Sequence, residues 1–350
     1  MGDPGFESVA KENEAPVGKL RRRVRMALVR LSWVYLLAVL LLWALVRFAG
    51  DRWWLATLVL FGPLWGAAVP LTILGPAAIA FCRRALYPLV IAGAVLGFGV
   101  LDVCLPWRAL VHGRASGPPI RMLTCNVHNA LLNTAEMNRL LEQSKPDIVI
   151  LQEAWKFQWK PSAGDETWNF RRHGELFIAA RYPILQTVDY TDRAWRPWGG
   201  AGARYDIAAP GGTLHLFSLH LASPHMPFRA VRLRKAGSVK WLQEHLAMRG
   251  AQSDQFSSLA KEMGNDVILG GDFNTPCQSA LYHREWSGFS DAFNAAGLGT
   301  GHSYFGLGAS VRIDHLLSAA GWRCIRCRVG PDVGSPHRPV IADFERTGSE

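Results

Sequence analysis

Residues 27–105 are an almost unbroken run of Leu, Ala, Val, Trp and Gly, and no other stretch limits the fold as tightly. About 20 such residues span a bilayer as a helix, because in lipid every backbone polar group must be bonded internally. Three crossings are expected, at about 31–48, 57–77 and 85–105. The first follows the basic run Lys19-Leu20-Arg21-Arg22-Arg23-Val24-Arg25 and ends at Arg47, Asp51 and Arg52, with Trp53 and Trp54 as interfacial anchors. It is too long for the apolar core of a cleavable signal peptide, and no small-x-small site closes it. The second contains Pro63 and Pro70, and the third follows Arg83-Arg84. Residues 1–26 read as a disordered basic tail on the cytoplasmic side. Basic residues favour that side, and residues 19–25 and 83–84 are separated by two crossings, so three crossings carry residues 106–350 out of the cytoplasm. A re-entrant or double crossing within 54–82 would invert this.

Charge divides the same way. Residues 1–120 hold 13 basic and 6 acidic side chains, a net +7, whereas residues 121–350 hold 25 and 22, only +3. The pI of about 9.6 therefore describes the membrane-proximal part and is weak evidence for a nucleic-acid surface. Cys324-Ile-Arg-Cys327 is a lone C-x-x-C with no second pair, which speaks against zinc. Two unpaired thiols are expected there, with a disulfide left open if the domain lies outside the cytoplasm.

Residues 106–119, with Gly113, Gly117, Pro118 and Pro119, read as a linker. Beyond it short apolar runs predict strands at 120–126, 148–152, 176–180, 205–209, 214–220, 267–269, 313–317 and 340–344, with helices at about 133–144 and 227–249. Many strands and few helices imply an α+β fold, two packed sheets with helices outside.

Several of these runs carry polar residues that packing does not need. Val267-Ile268-Leu269 breaks at Gly270-Gly271 and delivers Asp272 and Asn274 to the same side of an extended segment. Asn126, Glu153 and His220 each close or follow a strand, Asp314 lies inside one, and His337 precedes the last. Singly each has a plain structural explanation: a turn, a solvated strand end, a hydrogen-bonded histidine. Asp314 is harder to explain so, since a buried carboxylate needs a partner. Together, one Glu, two Asp, two Asn and two His at strand edges point to a shared site.

In order and spacing Gln152-Glu153, Gly271-Asp272-Phe273-Asn274 and Arg312-Ile313-Asp314-His315 resemble the motifs of the endonuclease/exonuclease/phosphatase superfamily, the fold of DNase I. The resemblance covers roughly 120–345 and implies a DNase I-like four-layer α/β/β/α sandwich that hydrolyses a phosphoester with Mg²⁺ or Mn²⁺. Residue chemistry fits those roles: Glu153 and Asn126 as metal ligands, His337 as base with Asp314 holding its ring, and Asp272 orienting or activating the water. Asn274, Asn126 and His220 are the substrate-binding candidates, Asn274 and His220 as donors to phosphate oxygens. One departure is Ser335-Pro336-His337 in place of the family's usual Ser-Asp-His, with Asp332 near enough in sequence to compensate.

A tethered domain of modest charge suits a lipid-linked or membrane-surface phosphoester better than polymeric DNA. Trp155, Phe157, Trp159, Trp168, Trp195 and Trp198 crowd the stretch after Glu153, as core or as contacts to lipid. Three apolar segments ahead of such a domain also resemble bacterial VanJ-type membrane proteins, which implies undecaprenyl pyrophosphate as substrate. The alternatives are an extracytoplasmic nuclease and a catalytically weak membrane module that binds a phosphorylated ligand.

Overall fold

The computed structural model describes residues 16–106, 118–128, 134–157, 167–191, 199–306 and 309–347. Most of the expected linker, with Trp159, Trp195 and Trp198, lies outside them. The chain forms two compact units, one of residues 1–44 and 65–100, the other of residues 45–64 and 101–350.

The first unit is helical. Among the described residues three helices are long and apolar enough to cross a membrane: Gly18–Ala49, Leu64–Phe81 and Arg83–Val100. The outward faces are apolar, with Val34, Ile73 and Val90 each more than 60% exposed, as a lipid-facing surface requires. The second apolar helix starts later than expected. Trp54–Leu60 forms a helix of its own within the second unit, and the Pro63 ring disfavours helical backbone at Gly62.

The second unit is built on two six-stranded sheets. One has the order β13-β14-β1-β2-β4-β3, from β1 (Ile120–Asn126), β2 (Ile148–Gln152), β3 (Asn169–His173), β4 (Leu176–Ala180), β13 (Trp322–Val329) and β14 (Val340–Arg346). The other has the order β5-β6-β7-β8-β12-β9, from β5 (Ile184–Asp189), β6 (Ala201–Ala209), β7 (Gly212–His220), β8 (Val267–Asp272), β9 (Ser290–Asp291) and β12 (Asp314–Ser318). A small hairpin, β10 (Tyr304–Gly306) and β11 (Ala309–Val311), stands apart.

Alternate residues explain the layers. Ile148 and Ile150 of β2 join Leu214, Leu216 and Ile268 in the core between the sheets. Val149 and Leu151 point the other way, onto Met137, Leu140 and Leu141 of the helix Thr134–Ser144. On the second sheet Phe217, Leu219 and Leu269 pack under Phe256 and Ala260 of the helix Ser238–Glu262. Both faces of the central strands are buried, which is why they read as continuous apolar runs. The result is the expected α/β/β/α sandwich.

Three local readings change. β8 does not break at Gly270-Gly271 but runs through to Asp272. A Cβ on Gly270 would meet Ile150 Cδ1 at 2.7 Å, and one on Gly271 would meet Leu219 O at 1.9 Å, so the glycines admit the facing sheet and the neighbouring strand. The helix expected at 227–249 is two, His225–Arg232 and Ser238–Glu262, with Gly237 in the left-handed region between them. A bulge between Cys324 and Arg326 lets Cys324 and Cys327 both face the core, as free thiols.

Candidate active site

Strand register assembles the site. β7 runs parallel to β8 with His220 opposite Asp272, and β12 runs antiparallel to it with Asp314 opposite Asp272. Three adjacent strands therefore present His220, Asp272 and Asp314 in one row. On the facing sheet β1 and β2 run parallel with Asn126 opposite Gln152, so Glu153 leaves the sheet beside Asn126. His337 enters from the turn before β14.

Short contacts join these groups. Asn126 Nδ2 donates to Glu153 Oε1 at 3.0 Å and to Asp272 Oδ2 at 3.0 Å, so one amide spans the gap between the two carboxylates. Its Oδ1 accepts from His128 N, which fixes that orientation. His337 Nδ1 faces Asp314 Oδ2 at 2.9 Å, and its Nε2 lies 3.7 Å from Asp272 Oδ2. His220 Nδ1 faces Glu175 Oε1 at 2.7 Å, leaving Nε2 at 3.8 Å from both Glu153 and Asp272. Asn274 donates its backbone N–H to Asp272 Oδ1 at 2.9 Å and one side-chain N–H to Leu221 O, which leaves its second amide proton for a ligand. All the expected site residues meet in one place.

Two of these positions are backbone-strained. Glu153 (φ 50°) and Asn274 (φ 48°) sit in the left-handed region, costly for a residue with a Cβ and most often kept at functional turns.

Burial sets the electrostatics. It pushes the His337 imidazole down, but the Asp314 and Asp272 carboxylates outweigh it and hold His337 up at about 9. For His220 burial is likewise overcome, mainly by Glu175, and the ring is held at about 10. Burial pushes Asp272 above the ordinary carboxylate range, Asp314 adds to that, and the two histidines only partly offset it. Glu175 ends below its ordinary value because His220 overcomes burial.

Asp272, Asp314 and His337 can bring one ligand atom each within 4.8 Å of one another, with Glu153 one amide away. Hard carboxylate oxygens around an acid already pushed up by burial fit a small divalent cation.

The site opens into a cleft of about 420 Å³ whose lining includes Glu153, His220, Asp272, Asn274 and His337. Phe61, Met226 and Phe228 line it too, Phe61 and Phe228 edge to face at 5.0 Å. A larger groove of about 940 Å³ between Arg25–Arg30 and Ile79–Arg84 has no acid or histidine among its described lining residues.

Sequence reasoning missed Glu175, whose signal was an acid opening an apolar strand. It also missed Tyr304, whose ring lies 4.9 Å from that of His337, and Phe61, which nothing in the pattern distinguished. Asp332 does not compensate for Pro336: it is 64% exposed and pairs with Arg338. Of the crowded aromatics, Phe157 is core, Trp168 lies under the Arg181 guanidinium, and Trp155 is 57% exposed.

The two-sheet sandwich brings acids and histidines together at its strand ends, a set able to hold a divalent cation beside a phosphoester. Residues 123–337 match the Endonuclease/Exonuclease/phosphatase family, and the chain belongs to that family, whose members hydrolyse phosphoester bonds. Among solved structures, truncated Caenorhabditis elegans TDP2 aligns at TM-score 0.50 and 16% identity, over 65% of this chain and 98% of that one. An endonuclease/exonuclease/phosphatase family protein from Bacteroides thetaiotaomicron aligns at 0.49 and 14%, over 67% and 97%. The Bacteroides thetaiotaomicron mannosyl-6-phosphatase aligns at 0.47 and 15%, over 64% and 99%. These likenesses concern the fold. No curated protein matches the chain.

Proposed function

We propose that the chain is a membrane-anchored, metal-dependent phosphoesterase whose substrate is a phosphoester or pyrophosphate carried on a lipid-like group. The observation that supports it best is that the acid–histidine floor and the apolar wall of Phe61, Met226 and Phe228 share one cleft. Met226 stays 56% exposed beside charged groups, which suits a ligand that is itself both anionic and apolar. No Lys or Arg is among the cleft's described lining residues, whereas a nuclease grips its polymer by neutralising phosphates.

Glu153 would hold the Mg²⁺ or Mn²⁺; Asn126, first expected to ligate beside it, turns its Oδ1 to His128 N and instead donates to Glu153 and Asp272, positioning both acids. When bound, that cation polarises the phosphoryl oxygens and offsets transition-state charge. Asp272, made more basic by burial, accepts the proton of the attacking water. His337, its Nδ1 fixed by Asp314, offers Nε2–H to a phosphoryl oxygen, and His220, fixed by Glu175, does the same from the other side. The base role first expected of His337 is the alternative assignment, since the same Nε2 lies 3.7 Å from Asp272 Oδ2, within reach of one shared water.

Membrane topology supports the same reading. Residues 45–64 and residues from 101 onward belong to one compact unit, which supports an even number of crossings between them. The helices Leu64–Phe81 and Arg83–Val100 supply two. With the basic run at 19–25 inside, the hydrolase faces outward. A C-terminal tag on intact cells tests this, and labelling only after permeabilisation would overturn it.

The function test is phosphate release by the full-length protein with Mg²⁺ on polyprenyl pyrophosphate and lysophospholipid, run beside plasmid nicking. Release from the lipid-borne substrates, abolished by chelation, is expected. Nicking without such release would support the nuclease, and binding without turnover the ligand-binding module.

A further inference from the structure

The segments that flank the apolar helices each bring a carboxylate to an arginine buried in the catalytic unit. Asp51 follows the first apolar helix, in the left-handed region, with its side chain wholly buried. Its Oδ1 accepts from Arg249 Nη1 at 2.6 Å, and that guanidinium, on the helix Ser238–Glu262, is also wholly buried. Asp102, just after the last apolar helix and also left-handed, pairs with Arg312 Nη2, whose side chain is 1% exposed. Arg312 stands two residues before Asp314. Further contacts seat the first segment: Thr57 Oγ1 accepts from Asp51 N, Gln243 Nε2 donates to Arg52 O, and Phe61 lies against Phe228.

Arg249 reaches farther than its ion pair. Its Nη2 donates to Asn274 O and, at 3.2 Å, to Thr275 Oγ1. The Asn274 N–H in turn donates to Asp272 Oδ1. A continuous chain of hydrogen bonds therefore runs from Asp51 through Arg249 and Asn274 to the acid at the centre of the cleft. A planar guanidinium can hold a carboxylate on one nitrogen and a carbonyl on the other, and it loses this geometry if either partner is removed.

We propose that Asp51 and Arg249 are positioning residues: the segment Leu45–Leu64 is part of the catalytic unit and, through Arg249, sets the strained loop Asp272–Thr275. This rests on the reading of the cleft as a phosphoester site. It requires the loop to lose its register when the pair is removed even though the fold survives. A purely structural ion pair predicts the opposite, since buried pairs replaced by apolar side chains of similar volume often leave a protein folded and active.

The test uses the full-length protein in lipid nanodiscs with Mg²⁺ and a chromogenic phosphodiester. In the double variant Asp51→Leu/Arg249→Met we expect kcat to fall about 30-fold with KM within about threefold, because misplacing a catalytic group costs turnover more than binding. Amide exchange across 270–278 should rise about tenfold while β1 and β2 stay protected. Arg249→Lys, which keeps the charge but not the fork, should show the same split. Leu140→Ala, far from the relay on the helix Thr134–Ser144, should lower the melting temperature and leave kcat unchanged. Full kcat and unaltered exchange in a folded double variant would overturn the proposal. If the wild-type protein shows no turnover, the reading of the cleft fails instead, and the exchange measurement still decides whether Arg249 orders the loop.

Discussion

Asp272 and Asp291 are both buried carboxylates beside the same strand, β12, yet their surroundings treat them in opposite ways. Asp291 caps the helix Ala292–Ala296 by accepting from Phe293 N and Asn294 N, and its other oxygen faces Tyr282 and His315. Burial pushes its pKa up, but Arg312, His315 and Tyr282 more than compensate and carry it well below the ordinary range. Asp272 has Asn126 and Asn274 as donors and two histidines in reach, yet burial and Asp314 leave it raised. One acid is satisfied by the fold. The other is kept raised by burial and by Asp314 where it lines a cleft, which marks it as a candidate functional group.

Replacing Asp272 tests this contrast most severely. In Asp272→Asn we expect turnover to fall about 10³-fold, the scale of a lost general base. Melting temperature should hold or rise, because the change removes a carboxylate that faces Asp314 at the cost of burial. Phosphate release and thermal unfolding of the full-length variant check both. An equal loss of stability and activity would make Asp272 another structural acid and end the contrast.

The sequence revealed Asp272 and not Asp291 for a related reason. Asp272 and Glu153 follow apolar runs, Asp314 interrupts one and His337 precedes one, places where packing alone would not put a charge, so as a set they stand out. Asp291 sits in a two-residue strand before a short helix and reads as an ordinary cap. β13 was hidden because Trp322, Cys324 and Cys327 alternate with three arginines across a bulge, which scrambles period two. β6 was read four residues short because it opens on Ala201-Gly202-Ala203, where Gly202 makes room for the Phe256 ring. Asp51 and Arg249 looked like a membrane-interface charge and one basic residue of an amphipathic helix. Only chain reversal over 198 positions makes them partners.

Asp291→Asn probes the satisfied acid. Removing one member of a buried ion cluster should destabilise the fold by about 3 kcal/mol at neutral pH, while turnover of the folded fraction persists. The pH dependence follows from the direction of the shift. Folding holds this carboxyl below its unfolded value, so its contribution is fully present above pH ~4 and is lost as pH falls through the lower folded value. The gap between wild type and variant in denaturant unfolding should therefore be wide at pH 7 and narrow progressively below pH ~4. A gap that stayed constant with pH would mean that the loss comes from hydrogen bonding or packing and that charge contributes nothing.

The smallest effect expected is on the cleft's wall beside Asp272. Phe228→Ser should raise KM for a lipid-borne phosphoester about fivefold, in line with ~1 kcal/mol for a lost aromatic contact. KM for a short, water-soluble phosphoester should hardly move, because the floor that binds phosphate is untouched. Equal changes for both substrates would show that Phe228 supports the floor through the helix His225–Arg232 and does not touch the substrate. Unequal changes would mean that two separate surfaces meet at Asp272, one reading the phosphate and one the group that carries it.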